Sequence, residues 1–395
     1  MPADYWLILP LFVAVAAGWW LGRRQLSAAY QAEKLQQTLS REYFVGLDQL
    51  INEQTDEAIE SFIRALEINS DTIPVHLTLA KLLRRKGEIE QAVSIHQRLL
   101  ARPDLTDTDF VRIQIALAKD YQSLGLLDRA ENLLRDIIQR SKDADVRGGA
   151  QLLLIKLYEQ EREWQSALDA ARQLAPTRRA DIQTELAHYC CELAREHEVQ
   201  GRVGEAEALL RKAHGFDAEC PRVSLVRADL LMRRQQWGKA VKALHQVLLQ
   251  DIRFVPETIA LLERCYTELN RPDEFACYLK KCLKTAPSAT VIMALARCIS
   301  QRRDVYAAGR FLTEELKKRP SVKGFNLLID LHIAYGSSSA RQSLTVLRGL
   351  TGQLEQSKPK YQCGHCGFSG RVLHWQCPSC RQWGTTEPVQ GLEGE

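Results

Sequence analysis

The sequence predicts an all-α protein, a solenoid of repeated helix pairs with an apolar segment ahead of it and a four-cysteine module behind it. Three observations lead there. The middle of the chain is rich in Leu, Ala, Arg, Glu and Gln and sparse in aromatics and Pro, a composition of good helix formers. A small-large-small triplet at i, i+4 and i+7 recurs through it at near-constant intervals. Two Cys-x-x-Cys pairs follow it, and an uncharged run precedes it.

The first element is residues 1–24. Tyr5 to Gly22 (YWLILPLFVAVAAGWWLG) carry no charge, and about 18 residues is the short end of what crosses a bilayer. Trp6 and the pair Trp19, Trp20 suit the two interfaces, and Pro10 is tolerable near a helix start. Ala14-Val15-Ala16 resembles a signal-peptide cleavage site, but the flanks oppose cleavage: Asp4 precedes the run without Lys or Arg, whereas Arg23 and Arg24 follow it. The expectation is one transmembrane anchor whose positive flank keeps the rest of the chain in the cytoplasm.

The second element, over 36–335, is the repeat array. Ala58, Phe62, Ala65 are followed by Ala92, His96, Leu99, by Ala130, Leu134, Ile137 and by Ala167, Ala171, Leu174. Then come Ala206, Leu210, Ala213, next Ala240, Leu244, Val247, and finally Ala308, Leu312, Glu315. The leading alanines step by 34, 38, 37, 39 and 34 residues and then by 68, so a degenerate unit around Glu274 and Tyr278 fills the double interval. This is the tetratricopeptide period.

The triplet shares one helical face. Twelve residues earlier a second small residue recurs, at Gly46, Ala80, Ala118, Ala194, Ala228 and Ala296, where it lets the paired helices approach. Turn signals at Gly87, Gly125, Gly201 and Asn270 separate the two helices, and Pro103, Pro176, Pro287 and Pro320 close second helices. About eight units and a capping helix from Gly324 to Tyr335 are expected, with the first helices lining a concave face.

Residues 336–360 read as a linker that breaks at the Gly-Ser-Ser-Ser run and ends in a short amphipathic helix from Leu344 to Leu354. Residues 361–395 form the last element. Cys363-x-x-Cys366 and Cys377-x-x-Cys380 can set four thiolates tetrahedrally around one metal ion. In a reducing cytoplasm such pairs are ligands rather than disulfides. So small a module cannot bury enough apolar surface to fold alone, and metal binding is expected to supply its folding free energy. Zinc and iron both accept four thiolates. Tyr361, Phe368, Trp375 and Trp383 are expected to pack around the cluster or dock it on the solenoid.

The other seven cysteines, Cys190, Cys191, Cys220, Cys265, Cys277, Cys282 and Cys298, form no Cys-x-x-Cys pair and read as small packing residues. His188, His197, His214 and His245 fall on separate helices and read as structural, as does His332. Formal net charge is +4 over 395 residues, too little and too dispersed for a nucleic-acid partner. The sequence contains no phosphate loop, no Gly-x-Ser-x-Gly elbow and no His-Glu-x-x-His helix, so a binding protein rather than an enzyme is expected.

The whole layout resembles the lipopolysaccharide assembly protein B family of Gram-negative bacteria. The features that carry the resemblance are the anchor followed by Arg23-Arg24, the repeat array, and a tail YQCGHCGFSGRVLHWQCPSCRQW closing on GLEGE. It implies a rubredoxin-like module with Cys363, Cys366, Cys377 and Cys380 as metal ligands. It also implies an inner-membrane adaptor that helps the protease FtsH degrade the deacetylase LpxC, restraining lipopolysaccharide synthesis and meeting other inner-membrane regulators. Two further readings stay open: a scaffold gathering lipopolysaccharide synthesis or transport proteins, and electron transfer by an iron-loaded module. The sequence leaves open whether the protein is a homodimer.

Overall fold

The computed structural model describes residues 41–68, 72–335 and 338–395. The anchor expected over 1–24 lies outside them, and among the described residues no helix is long and apolar enough to cross a membrane. The chain divides into two compact units, Met1–Glu161 and Arg162–Glu395.

The first unit holds α1 (41–51), α2 (Thr55–Ile68), α3 (Ile73–Lys86), α4 (Ile89–Leu100), α5 (Asp107–Ser123), α6 (Leu127–Arg140) and α7 (Ala144–Glu161). The triplet residues form its spine: Ala58, Phe62, Ala65, Ala92, His96 and Ala130 are fully buried. Gly46 on α1 shows why a small residue is needed opposite the triplet, since a Cβ there would lie 3.0 Å from the Phe62 ring. The buried His96 is made tolerable by a charge cluster. Asp120 on α5, also fully buried, accepts from His96 Nδ1 at 2.5 Å and from the Arg84 guanidinium at 2.5 Å. A buried carboxylate needs such paired donors to offset its desolvation.

The second unit starts with α8 (Trp164–Arg172) and the short α9 (Pro176–Ala180). The pairs α10 (Gln183–Val199) with α11 (Val203–Phe216) and α12 (Pro221–Arg233) with α13 (Trp237–Gln250) follow. After a 3-10 turn at Ile252–Phe254 come α14 (Val255–Glu268), α15 (Pro272–Thr285), α16 (Ala289–Arg302), α17 (Val305–Lys318), α18 (Val322–Tyr335) and α19 (Ser338–Ser357).

A left-handed residue ends the first helix of seven pairs. Gly87, Gly125 and Gly201 have φ of 97°, 76° and 76°, and Glu53, Arg162, Gln235 and Asn270 take the same place at 52–61°. Each lies five residues before the first buried residue of the following helix's triplet. Counting from Asn270 puts the degenerate triplet at Phe275, Leu279 and Cys282, all buried, one residue beyond the expected Glu274 and Tyr278. A bulky Phe stands where the other units have Ala, and this hides the register.

Three further expectations are corrected. The capping helix α18 begins at Val322 and has a partner: α19 runs from Ser338 to Ser357, so the short helix expected over Leu344–Leu354 is longer at both ends, while Gly336 and Ser337 of the expected break lie outside the described residues. Pro176 opens α9 instead of closing a helix, as its ring suits a first turn. Cys277 is exposed on α15, while Cys190, Cys191, Cys220, Cys265 and Cys282 are buried as read.

Candidate metal centre

The module is a small antiparallel sheet in the order β2-β1-β3, from β1 (Tyr361–Cys363), β2 (Ser369–Gly370) and β3 (Thr386–Pro388). Tyr361 pairs with Gly370 on one side and Pro388 on the other. Each cysteine pair sits in the same turn. The amide of Gly367 donates to the Cys363 carbonyl at 3.0 Å, and the amide of Arg381 donates to the Cys377 carbonyl at 2.8 Å. The Cys363 amide donates to Phe368 and the Cys377 amide to Gln382, at 2.7 and 2.9 Å. Gly367 and Arg381, each just after the second cysteine, have φ of 76° and 58°.

The two turns face one another and bring all four sulfurs within 4.8 Å of each other. Cys363 Sγ lies 3.8 Å from Cys380 Sγ, and Cys366 Sγ 3.6 Å from Cys377 Sγ. A disulfide needs about 2.05 Å. A tetrahedron with metal–sulfur bonds of about 2.3 Å has edges of about 3.8 Å, so the sulfurs fit a four-thiolate shell. The electrostatics agree. Burial opposes ionising Cys363, but donors from Thr385 Oγ1 and the amides of Cys366 and His365 bring its thiol down to about 6. The Phe368 amide likewise lowers Cys366. Although the Gln382 amide favours its thiolate, desolvation and the neighbouring sulfurs push Cys380 up to about 12. Four thiolates this close need a cation to coexist.

The module is docked on the second unit by aromatic groups. Trp383, 8% exposed, stacks on His188 and meets Trp164 and Tyr189 edge-on at 6.0 and 5.9 Å. Trp375 stacks on Phe254 at 5.3 Å. The Arg222 guanidinium, 1% exposed, lies 5.5 Å from the centre of the Trp383 ring and 5.7 Å from that of Trp375, and it pairs with Glu192. Burial and the Arg222 charge hold His188 well below the ordinary histidine range. Gly384, at φ 65°, comes so close to α10 that a Cβ would lie 3.3 Å from His188 Nε2.

Polar contacts extend the docking. Tyr361 Oη donates to Glu257 at 2.7 Å, Arg253 pairs with Glu387, and Glu395 reaches Thr290 and Lys323. The contacted residues His188, Arg222, Glu257, Thr290 and Lys323 lie on α10, α12, α14, α16 and α18 at intervals of 34, 35, 33 and 33 residues. The module and tail thus take one contact from each successive first helix.

Of the aromatics singled out in the sequence, Trp375, Trp383 and Tyr361 dock the module, while Phe368 packs edge-on against His374 at 6.3 Å. Trp164, the first residue of α8, also meets the module, and His188, read as structural, is its central contact. His332 is exposed beside Tyr306 and Tyr335, away from the cysteines.

Residues 361–388 match the family model described as a rubredoxin metal binding domain, and residues 76–109 match the tetratricopeptide repeat. Lipopolysaccharide assembly protein B of Escherichia coli (strain K12) is 36% identical over 389 residues, 98% of this chain and 99% of that protein. Its counterpart in Haemophilus influenzae is 33% identical over 396 residues, 98% of each chain. Among solved structures, the MamA protein is similar with 17% identity and a TM-score of 0.36, over 46% of this chain and 93% of that one. Naa15/Naa10 bound to HypK-THB is similar with 16% identity and a TM-score of 0.39, over 80% of this chain and 54% of that one. Alike to those relatives from one end to the other, the chain belongs to the lipopolysaccharide assembly protein B family.

Proposed function

We propose that this protein is a non-enzymatic adaptor, anchored in the inner membrane by residues 5–22 with its bulk on the cytoplasmic side, that restrains lipopolysaccharide synthesis by bringing the deacetylase LpxC to the protease FtsH. The observation that carries the reading is the full-length relation to lipopolysaccharide assembly protein B. The helix-pair array supports it, since stacked pairs offer extended surface for protein partners. Tethering such an array beside a membrane protease raises the effective concentration of whatever it holds. Other inner-membrane regulators of the pathway would meet the same array.

In this reading the module holds one metal ion and its role is structural. All four positions of the shell are filled by protein sulfur, which leaves none for substrate or water. We assign zinc, and metal analysis of the purified chain tests zinc against iron. The function is tested by the half-life of LpxC after translation is stopped, in cells with and without this protein. A longer half-life on its loss is expected. An unchanged half-life would overturn the adaptor reading in favour of a scaffold.

A further inference from the structure

The tail beyond β3 ends in a built carboxylate site. Glu395 Oε2 accepts from the Thr290 amide at 3.0 Å, and Oε1 accepts from Thr290 Oγ1 at 2.9 Å and Lys323 Nζ at 2.5 Å. The side chains of Lys323 and Glu395 are 14% and 10% exposed. Donors from two helices, with the first turn of α16, thus converge on one carboxylate in a low-dielectric setting. Among the described residues Glu395 is the one carboxylate within ion-pair distance of Lys323, and Glu257 interacts with Lys323 only at longer range, so an empty site would leave a largely buried ammonium with weaker compensation.

Little else holds the tail there. Leu392 is 54% exposed, the Lys358–Glu393 pair is partly exposed, and the Val322 amide donates to the Leu392 carbonyl at 2.9 Å. The tail shapes itself instead: the Gly394 amide donates to Gly391, the Glu395 amide to Val389, and a Cβ on Gly394 would collide with the Val389 carbonyl. Releasing it exposes little apolar surface and leaves the Trp375 and Trp383 contacts untouched.

We propose that Thr290 and Lys323 form a carboxylate-binding site of the helix array, occupied in cis by Glu395, which an acidic peptide segment of a partner protein can take in its place. The tail then acts as a built-in competitor. An attached ligand presents itself at an effective concentration on the order of millimolar, so a partner segment must outcompete it or bind when it is displaced. The proposal stands on this geometry and is independent of which pathway the protein serves.

The test is fluorescence polarisation with a labelled Gly-Leu-Glu-Gly-Glu peptide, titrated with full-length metal-loaded protein. Glu395→Ala vacates the site and is expected to bind the peptide at least tenfold more tightly than the unaltered chain. Adding Lys323→Gln to that variant is expected to return binding to the unaltered level or below. Gly394→Val ejects the tail without touching either receptor residue and should match Glu395→Ala, which guards against a folding defect in one variant. Equal weak binding by the unaltered chain, Glu395→Ala and Gly394→Val would overturn the proposal, as would tight binding that survives Lys323→Gln. An amidated peptide is expected to bind as well as the free one, because the ligand is the glutamate side chain; loss of binding on amidation would overturn the proposal.

Discussion

Trp383 lies face to face with His188, their ring centres 5.0 Å apart and their planes 22° from parallel. The first is three residues past the last cysteine of the cluster, and the second is on α10. This contact joins the module to the helices, and the arginine beside it makes the pair work. Arg222 faces the indole, and burial together with the Arg222 charge disfavours protonation of the imidazole, so both rings suit an arginine beside them.

Trp383→Ala is expected to destabilise the docked module by about 3–5 kcal/mol, the range for truncating a buried aromatic. Trp383→Phe should cost less, because the indole Nε1 has no hydrogen-bond partner to lose. Urea unfolding followed by Trp375 fluorescence measures both, and metal content should be unchanged in each.

Acid is expected to loosen the docking. Burial and Arg222 depress the docked His188 pKa, so the docked state binds fewer protons than the released state as pH falls through the ordinary value of 6.5. Stability from this group is therefore complete above that value and lost below it. Glu257 acts in the opposite sense, as burial raises its carboxyl. Hydrogen exchange of the module between pH 7.5 and 5.5 should show the loss in the unaltered chain and a smaller one in His188→Phe.

Gly384→Ala combines a left-handed backbone with a side chain driven toward His188. Each contributes on the order of 1 kcal/mol. The expected outcome is faster exchange of amides around Trp383 with the β1–β3 pairing intact.

Cys377→Ser replaces a fully buried soft ligand by a hard one. Metal content of the purified variant is expected to fall, and the sheet to lose protection. A chelator strong enough to strip the unaltered chain should produce the same two changes, with α2–α6 unaffected.

Gln235→Gly tests the helix turns. Gln235 is exposed at φ 59°, where a side chain costs about 1–2 kcal/mol and glycine returns about 0.5–1 of that in chain entropy. A rise in stability of up to about 1 kcal/mol is expected by urea titration.

The triplet spacing made the helix pairs legible because buried small and large residues recur on one face whatever the loops do. The four cysteines were legible because few other arrangements use that spacing. The register at Phe275 was not, since the eye follows alanine; Asn270, five residues earlier, held the signal in its tolerance for a left-handed turn. The receiving side of the docking was invisible for a different reason. His188, Arg222, Glu257, Thr290 and Lys323 share a period but no chemistry, because each meets a different part of the module.

That row of contacts also orders events during synthesis. The helices leave the ribosome before the segment that docks on them, so Arg222 and Lys323 lack their docking partners until residues 361–395 have followed. A nascent chain stalled before residue 361 lacks every group that covers this row, and the row closes only after residues 361–395 have been made.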